Sequence, residues 1–467
     1  MAHKEIPAWL DTAAIAAALE QAKAPGKEEL QEIFAKSLNL QNLTIEEAAS
    51  LMAVEDPADR RAIQVTANMV KEKVYGDRVV LTAPLHVSNY CDSECTYCAN
   101  KHSNMLVERK RMTRDEIVEA TRKLIRQGHK RVLLVAGAHR ADGGIEYVLE
   151  AARTIYSVRE HSGEIRRVNI NLTPLHKDEY EAFRNADIGS CLLYQDTYFE
   201  KSYRSHHLRG PKSNFEQRLR SLDVAIEAGL SGVGMGLMLG LGPWKFDLLA
   251  LMLHVAHLER AYDVGATTIS LHRMRPVPCS VQVPVPYPVS DADYLHAVAI
   301  MRLAVPYAGI ILTTKEPASL WRQGCGCGCS QLLTGSVANP YEHFNTNPQE
   351  GEVKFPIGED CHVDEVVRFL LEEAEHMPSF CTACPRLGRS GQNFLDMMHE
   401  YGTMASQCGP NAVSSFSEYL YHYASPITRD EGEAMLRKKL AKMPENYRGA
   451  AERLLKKISV GRVDEFI

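Results

Sequence analysis

Three cysteines near the first quarter of the chain have the residue type and spacing to do chemistry. Cys91, Cys95 and Cys98 form the run C-x3-C-x2-C, directly after a candidate strand over 78–86. Three thiolates can hold three irons of a 4Fe–4S cluster and leave the fourth iron open. Zinc is the alternative, but a zinc site usually takes four ligands in paired spacings. The spacing therefore indicates a 4Fe–4S cluster with one open coordination site.

An open iron of this kind can be chelated by the amino and carboxylate groups of S-adenosylmethionine. One-electron cleavage of that cofactor gives a 5′-deoxyadenosyl radical, which abstracts hydrogen from a substrate. The cysteine spacing and its place after the first strand are together typical of the radical S-adenosylmethionine (radical SAM) superfamily. Such an enzyme needs an electron donor, and we expect a carrier such as ferredoxin or flavodoxin.

Cysteine is unusually clustered in the rest of the chain. Of 12 cysteines, nine fall into three tight groups, of which the second and third are Cys325/Cys327/Cys329 and Cys381/Cys384/Cys408. A disulfide scaffold is not expected in a chain this long without an apolar signal segment. Clustered thiols then point to metal or iron–sulfur ligation. The remaining three are expected to be isolated small hydrophobic residues: Cys191, Cys279 and Cys361.

Composition narrows the class of protein. The chain has 467 residues, 45 % apolar and 24 % charged, which is ordinary for a globular protein. A net charge of −6 gives no indication of a basic surface that binds nucleic acid. There is no apolar run of about 18 residues, so no membrane span is expected. The N-terminus lacks an apolar signal core, and we expect a cytoplasmic protein.

Strand and helix patterns alternate through the middle of the chain. Eight candidate strands predict a parallel (βα)8 TIM barrel; an open doubly wound sheet is the alternative, and the strand count favours closure. We predict a helical N-terminal extension over 1–75, the barrel over 76–340, and a helical C-terminal iron–sulfur domain over 341–467. The candidate strands are 78–86, 131–136, 166–172, 188–195, 232–239, 266–271, 309–313 and 329–334, and the helices between them include 113–127, 145–158, 213–228, 246–262 and 290–305.

In such a barrel the chemistry lies at the C-terminal ends of the strands. Polar or glycine residues at those ends are therefore candidates, although many such residues only satisfy loop backbone groups. The candidates are His86, Gly137, Asn171, Gln195, Gly234, Gly236, Gly240, Arg273, Arg275, Thr313, Thr314 and Lys315.

Several longer motifs resemble one family. NYCDSECTYC, IRRVNIN, YQDTY, GPKS, GVGMGLMLGL, RMRP, RLAVPYAGIILTTKE and SFCTACPRLGRSG resemble the FeFe-hydrogenase maturase (HydG) family, a branch of the radical aromatic-amino-acid lyases, from about residue 45 to the C-terminus. The resemblance implies cleavage of tyrosine at its Cα–Cβ bond to p-cresol and dehydroglycine. The latter would become cyanide and carbon monoxide for an iron synthon. Metallocofactor assembly proteins would then be possible partners.

The resemblance also implies roles for single residues. Tyr97 would pack on the adenine of S-adenosylmethionine, and Arg218 would meet its carboxylate. The TTKE segment, with Thr313 and Lys315, would clamp the carboxylate of the substrate amino acid, with Arg273 and Arg275 beside it. Cys381, Cys384 and Cys408 would hold an auxiliary cluster. The polar cradle for the nucleoside would come from Gly137, Asn169 or Asn171, Gln195 and Asp196.

The sequence departs from the family at four positions. Ala138 stands where the family has a Glu, Lys315 where it has an Arg, and His272 where it has a Pro. Thr267 replaces a His that ligates an extra labile iron, and a hydroxyl is a far weaker ligand. Either the changes are compensated locally, or the chain is a divergent paralogue with another small-molecule substrate. An iron–sulfur scaffold or carrier without lyase turnover is the third reading.

The run GCGCGCS has no counterpart in those motifs. If it is extended, Cys325, Cys327 and Cys329 face one side. They precede the eighth candidate strand and so belong at the N-terminal end of the barrel, as does Thr267. We predict that one or more of these thiols replaces the missing His as a ligand of the auxiliary cluster. The alternative is that small Cys and Gly residues only allow close packing there.

Overall fold

Eight parallel strands close into a barrel in this computed structural model. The barrel strands are β1 Arg78–Ser88, β2 Arg131–Ala136, β3 Arg167–Asn171, β4 Cys191–Asp196, β5 Val233–Leu239, β6 Thr268–Arg273, β7 Gly309–Thr313 and β8 Gln331–Leu333. Each pairs with the next, and β1 pairs with both β2 and β8. The predicted barrel is confirmed and the open sheet is wrong. The structure describes residues 5–138, 144–160, 163–230, 232–274, 284–314, 316–334, 362–372, 375–388, 393, 396–397 and 403–467.

Strand alternation sets what faces the barrel interior. In β3 the residues Val168 and Ile170 are buried against the outer helices, and Asn169 and Asn171 point inward. Parallel pairing places Leu133 beside Asn169 on the neighbouring strand. Polar inward positions in an otherwise apolar barrel are what the sequence predicted as candidate site positions.

Helices surround the barrel, and two differ from prediction. The predicted helix over 213–228 breaks at Arg220 into two short helices, and a helix that was not predicted, Ala318–Cys325, precedes β8. In the described part of the chain, no helix is long and apolar enough to cross a membrane. The helices are Thr12–Gln21, Lys27–Leu38, Ile45–Met52, Pro57–Tyr75, Arg114–Arg126, Gly144–Ser157, Lys177–Asn185, Glu200–His206, Phe215–Leu219, Ser221–Glu227, Trp244–Tyr262, Asp291–Ala304, Ala318–Cys325, Val363–Glu372, Ala383–Arg386, Thr403–His422, Pro426–Lys442 and Glu445–Ser459.

The C-terminal region is joined to the N-terminal end of the barrel, which we call the bottom. A ninth strand, β9 Met377–Ser379, pairs in parallel with Arg78–Val80 at the start of β1. Behind it, Phe380 stacks on Tyr419 with ring centroids 4.6 Å apart. The sequence did not predict this short strand, which carries the chain directly into Cys381.

A buried ion pair also fixes the C-terminal helices to the barrel. Lys130, at the start of β2, lies 2.6 Å from Glu418 Oε2, and the two side chains are 8 % and 1 % exposed. Asp464 lies 3.7 Å from the same ammonium. Removing one partner of a buried pair leaves an uncompensated charge, which is more damaging than removing both.

We therefore expect Lys130→Met to destabilise the protein by about 3–5 kcal/mol. The Lys130→Met/Glu418→Gln double variant removes both charges and should recover at least half of that loss. Urea unfolding of the three proteins measures the effect. Equal stability of the single and double variants would show that the pair does not hold the two regions together.

Candidate active site and metal centres

The first cysteine loop is fixed to its surroundings through its own backbone. Arg109 donates to backbone carbonyls on both sides of the cysteines: Asn89 O at 2.7 Å, Asn100 O at 3.0 Å, Lys101 O at 2.6 Å and Asn104 O at 3.3 Å. Asn89 adds bonds to the segment that follows, accepting from Lys110 N and donating to Glu108 O, both at 2.7 Å. Arg109 thus holds the loop in one shape without touching a thiol.

A second loop, residues 206–210, runs antiparallel to the cysteines. Glu94 N donates to Arg209 O at 2.9 Å, and Thr96 N donates to His206 O at 2.9 Å. Gly210 has φ +86°, and a Cβ there would lie 2.2 Å from Asp92 O. Only glycine fits this contact, which explains the G of the GPKS motif.

Gly137, which follows β2, is required for the same kind of reason. A Cβ on it would lie 1.9 Å from Tyr90 O, the carbonyl just before Cys91. The next residue, Ala138, is buried and accepts a hydrogen bond from Asp92 N at 2.9 Å through its backbone oxygen. The Ala138 position therefore supports the cysteine loop through its backbone, which any residue can supply.

A buried charged network lies beneath the cysteines. The Tyr97 hydroxyl donates to Asp196 Oδ2 at 2.9 Å, and the Arg218 guanidinium donates to the same oxygen at 2.8 Å. Burial acts to raise the pKa of Asp196, but the adjacent Arg218 cation holds it well below its usual range. Asp196 has φ +66°, an uncommon conformation that turns the chain at the end of β4. His207 completes the cluster, with its Nε2 2.9 Å from the Tyr97 hydroxyl.

Arg218 has hydrogen-bond donors that no described residue uses. It is 2 % exposed, and its Nε and Nη1 groups have no hydrogen-bond partner among the described residues. A buried guanidinium with unused donors is suited to a carboxylate, to which either donor can give a charge-assisted hydrogen bond. Gln195, also buried, makes only a long contact of 3.5 Å, to Thr197 O, within the described part of the chain. These two side chains fit a cofactor that carries a carboxylate beside the cysteine loop.

Burial also affects the first cysteine group itself. It raises the pKa of Cys95 to about 12 and also raises that of Cys98. A metal removes such protons because thiolate is the ligand form. In the described residues, no three Cys, His, Asp or Glu side chains are gathered closely enough for a single metal ion. A 4Fe–4S cluster differs, because each thiolate ligates a separate iron.

Asp247 supports the network from the first turn of helix Trp244–Tyr262. It accepts hydrogen bonds from Tyr198 N at 2.7 Å and Thr197 Oγ1 at 2.9 Å, which fixes the backbone after Asp196. Burial raises its pKa to about 7, although these bonds act in the opposite direction. Nothing in the sequence marks Asp247 beyond its place in a helix.

The segment that the sequence predicted as a substrate clamp is held by Arg273. Its guanidinium binds Glu316 through two bonds, Nε to Oε1 at 3.1 Å and Nη2 to Oε2 at 2.6 Å, and Nη1 lies 2.7 Å from Asp291. Its charge is already matched, which suits a positioning role better than substrate binding. Thr313 is buried at the end of β7. Lys315 and Arg275 lie outside the described residues, as do Cys279 and Cys361.

The other end of the barrel contains a cavity of about 160 Å³. Cys381, Cys384 and Cys408 all line it, and so do Thr267 and Thr268 at the start of β6. Asn169 lines it as well, and its Oδ1 has no partner among the described residues. Asn169 thus belongs to the bottom cavity. Asn171, one inward position further along β3, is the nearer of the two to the cysteine loop.

Three arginines give this cavity an excess of positive charge. Arg78, Arg131 and Arg167 line it, and none of the lining residues that the structure describes is acidic. Burial lowers the pKa of Arg167 to about 10, and the neighbouring Arg131 cation adds to this effect. Arg131 donates to the backbone oxygen of Cys381 at 3.2 Å, while its Nε has no partner within the described chain. The cavity is built to receive negative charge.

The three cysteines of the third group therefore lie together at one cavity. The second group, at 325, 327 and 329, differs from prediction. Cys325 ends a helix and Gly326–Gly328 form a turn, so the run is not extended. Gly328 has φ +102°, which the turn requires. The described lining of the bottom cavity includes none of Cys325, Cys327 and Cys329. Ligation of the auxiliary cluster by these thiols stays a prediction that this geometry does not favour.

A buried lysine lies next to that second group. Lys71 is fully buried and its Nζ has no hydrogen-bond partner among the described residues. Burial lowers its pKa to about 8, and the cysteines at 325 and 329 are among the groups that counter this effect. Cys191, by contrast, is a buried core residue of β4, as expected.

Comparison with known proteins shows to which family this chain belongs. The radical SAM superfamily model matches residues 85–252, and the biotin and thiamin synthesis associated domain matches residues 270–376. A crystal structure of HydG, a maturase of the [FeFe]-hydrogenase, superposes with a TM-score of 0.92 at 34 % identity over 99 % of this chain and 100 % of that one. The chain belongs to the radical SAM superfamily as a HydG-like member.

Two further relatives agree with this assignment. HydG from Carboxydothermus hydrogenoformans matches with a TM-score of 0.82 at 32 % identity, covering 95 % of this chain and 97 % of the other. The 2-iminoacetate synthase of Salmonella typhimurium is 30 % identical over 60 % of this chain and 72 % of its own length. The resemblance stated from the motifs is confirmed. A 4Fe–4S cluster and S-adenosylmethionine follow from membership of the superfamily.

The contact at Gly137 gives a test of the cysteine loop. We expect Gly137→Ala to destabilise the protein by about 3 kcal/mol or more, because the new methyl group meets a backbone carbonyl that cannot move alone. Gly326→Ala is the matched control, since its Cβ would meet nothing closer than 3.5 Å. Thermal unfolding and iron content measure both effects. Wild-type iron content in Gly137→Ala would contradict the assigned contact.

Asp247 gives a pH-dependent test. Its folded pKa of about 7 lies above the unfolded value of about 3.9, so its favourable contribution is full below about pH 4 and is lost as pH rises through 7. Asp247→Asn keeps the acceptor oxygen, and we expect it to be about 1–3 kcal/mol more stable than wild type at pH 8 and to lose that advantage at pH 4. Urea midpoints measured from pH 4 to 8 test this. A constant difference across the range would contradict a titrating Asp247.

Proposed function

We propose that this protein is a radical SAM carbon–carbon lyase that acts on tyrosine or a closely related amino acid, with products that feed metallocofactor assembly. The observation that supports this most is the arrangement of two cysteine groups at opposite ends of one barrel. Cys91, Cys95 and Cys98 lie at the top, and Cys381, Cys384 and Cys408 line the bottom cavity. A product made at one end can then reach a second cluster without leaving the barrel.

At the top, the proposal assigns the cleavage cluster to the first three cysteines. Together, cluster and S-adenosylmethionine supply the radical that removes hydrogen from the substrate. An unused donor of Arg218, Nε or Nη1, would bind the cofactor carboxylate, while Asp196 keeps the guanidinium oriented. Tyr97, fixed by Asp196 and His207, forms one wall of the nucleoside pocket. Gln195 and Asn171 complete the polar cradle.

At the bottom, the proposal assigns an auxiliary iron–sulfur cluster to Cys381, Cys384 and Cys408. Burial raises the pKa of Cys381, and the nearby Arg78 and Arg131 cations act in the opposite direction, toward the thiolate that a cluster requires. The arginine charge also suits a small anionic ligand or product, such as a carboxylate or cyanide, held next to the cluster. Asn169, Thr267 and Thr268 supply further polar groups at the same cavity.

The alternative is a divergent paralogue with another small-molecule substrate, and two residues favour it. Thr267 lines the bottom cavity where the family has an iron-ligating His, and its hydroxyl already donates to Val233 O at 2.8 Å. Lys315 stands in the clamp in place of an Arg, and an ammonium cannot form the planar two-bond contact with a carboxylate. A scaffold without lyase turnover is the remaining possibility.

The proposed lyase activity is tested by product analysis. Reconstituted protein with S-adenosylmethionine and dithionite should form 5′-deoxyadenosine, and with tyrosine it should also form p-cresol. Cys98→Ser should abolish both products, because among the cysteines that the structure describes none joins the first group to replace the lost iron ligand. Cys191→Ala is the matched control, since it removes a buried cysteine that is not a ligand. Tyrosine-independent 5′-deoxyadenosine without p-cresol would support another substrate, and no 5′-deoxyadenosine would support the scaffold.

The bottom cavity is tested through its metal content. We expect Thr267→His to bind about one additional iron per chain, because imidazole is a far better iron ligand than a hydroxyl. Thr267→Val, which offers no ligand, should keep the wild-type iron content. Iron and sulfide analysis with electron paramagnetic resonance reads out both variants. An unchanged iron content in Thr267→His would show that this position does not face the auxiliary cluster.

A further inference from the structure

We propose that an apolar patch beside the first cysteine loop is the docking surface for a small acidic one-electron carrier protein. The patch consists of Met105, Leu106 and Leu208, which are 90 %, 70 % and 58 % exposed. Single exposed apolar residues are common, but a group of three large ones marks an interaction site. The proposal rests on the proposed function, since only a redox-active cluster in this loop requires such a partner.

One residue joins the two segments of the patch. Glu94, between the first two cysteines, accepts hydrogen bonds from the backbone of Ser103 at 3.2 Å and from the Ser103 hydroxyl through its carboxylate. Through its backbone oxygen it accepts from Leu208 N at 3.1 Å. The segment with Met105 and the segment with Leu208 are therefore both fixed to the loop that carries the cysteines.

The patch is also held in a defined shape. Asn104, immediately before Met105, is buried, and its Nδ2 donates to Ala99 O at 2.8 Å. Its Oδ1 accepts from Leu106 N at 3.2 Å, and its backbone oxygen accepts from Arg109. Two large apolar side chains are thus presented to solvent by an anchored turn. A rigid apolar surface loses little conformational entropy when a partner binds.

Charge identifies the kind of partner. Residues 91–111 and 204–212 together contain seven Lys and Arg against three Asp and Glu, in a chain whose net charge is −6. Lys110 and Arg204 are paired with Glu116 and Glu200 outside these segments, and Arg209 is paired with Glu94 inside them. Counted without these pairs, four basic residues stand against two acidic ones. Arg209, next to Leu208, is 64 % exposed. A locally basic surface on an acidic protein attracts an acidic partner, and two copies of this surface repel each other.

The position of the patch indicates what that partner delivers. Met105 follows Cys98 by only seven residues, and the 206–210 loop pairs directly with Cys95. A protein bound here lies against the cluster loop itself. Interfaces of electron-transfer partners are small and transient, which suits an apolar centre of three side chains with a charged rim. The class of partner is therefore an acidic carrier such as a flavodoxin or ferredoxin.

The test separates electron delivery by a protein from electron delivery by a small reductant. Formation of 5′-deoxyadenosine is measured with dithionite, and separately with flavodoxin or ferredoxin kept reduced by an NADPH-dependent reductase. We expect the Met105→Glu/Leu106→Glu/Leu208→Glu variant to raise KM for the carrier by about tenfold or more. Its dithionite-driven rate should stay at the wild-type value, because dithionite needs no docking surface.

Val65→Glu/Met69→Glu is the matched control. These residues are 44 % and 49 % exposed and line a separate surface pocket with Cys327. The control should leave the carrier-dependent KM unchanged, and added salt should raise that KM for wild type. An unchanged KM in the triple variant, or a wild type that accepts electrons only from dithionite, would overturn the docking surface alone. No product with dithionite would instead overturn the proposed function.

Discussion

Strand β1 is the element on which the rest of the structure depends. It is the longest strand of the barrel, and its residues hydrogen-bond to three other strands: β8 and β9 near its start and β2 along its second half. The barrel closes through it. Its C-terminal end releases the chain into the first cysteine loop, while its first residue, Arg78, faces the third cysteine group. One rigid strand therefore fixes the separation of the two candidate cluster sites.

Positive charge is used differently at the two ends. At the top, Arg218 is paired with Asp196, and only part of its hydrogen-bonding capacity remains for a ligand. At the bottom, Arg78, Arg131 and Arg167 have no acidic residue with them in the described lining of the cavity. Buried cations without counter-charges are costly, so the bottom cavity is complete only with negatively charged contents. At the top of the barrel the buried charges are paired and held in place before a ligand binds, and at the bottom they are not.

The sequence predicts the barrel well because the signal is local and repeated. Strands β2 and β7 match their predicted bounds, since each is a short apolar run between turn residues. The cysteine loop was equally visible, because C-x3-C-x2-C is a spacing and needs no tertiary information. The arginines of the bottom cavity had a signal that was not used. Arg78, Arg131 and Arg167 are each the first residue of a strand, in three successive strands of the barrel.

What the sequence could not supply depends on contacts distant along the chain. Asp247 and Arg109 act through backbone groups that any residue offers, so no motif marks them. The GCGCGCS run fits an extended strand by its period of two, but a helix end followed by a turn accommodates it as well. Gly328 decides between these, because its φ of +102° and its contact with Arg302 fix the turn.

A cluster at the third cysteine group, as proposed, would affect the stability of the fold. Burial raises the pKa of Cys381, and contact with Cys408 together with burial raises that of Cys384, so without metal these thiols are neutral and cannot balance the arginines around them. A bound cluster deprotonates them and supplies the missing negative charge. Since β9 leads straight into Cys381 and pairs with the start of β1, the strain of an unbalanced cavity acts on the junction between barrel and C-terminal region. A cluster bound at the proposed site would therefore contribute to the stability of that junction as well as to chemistry.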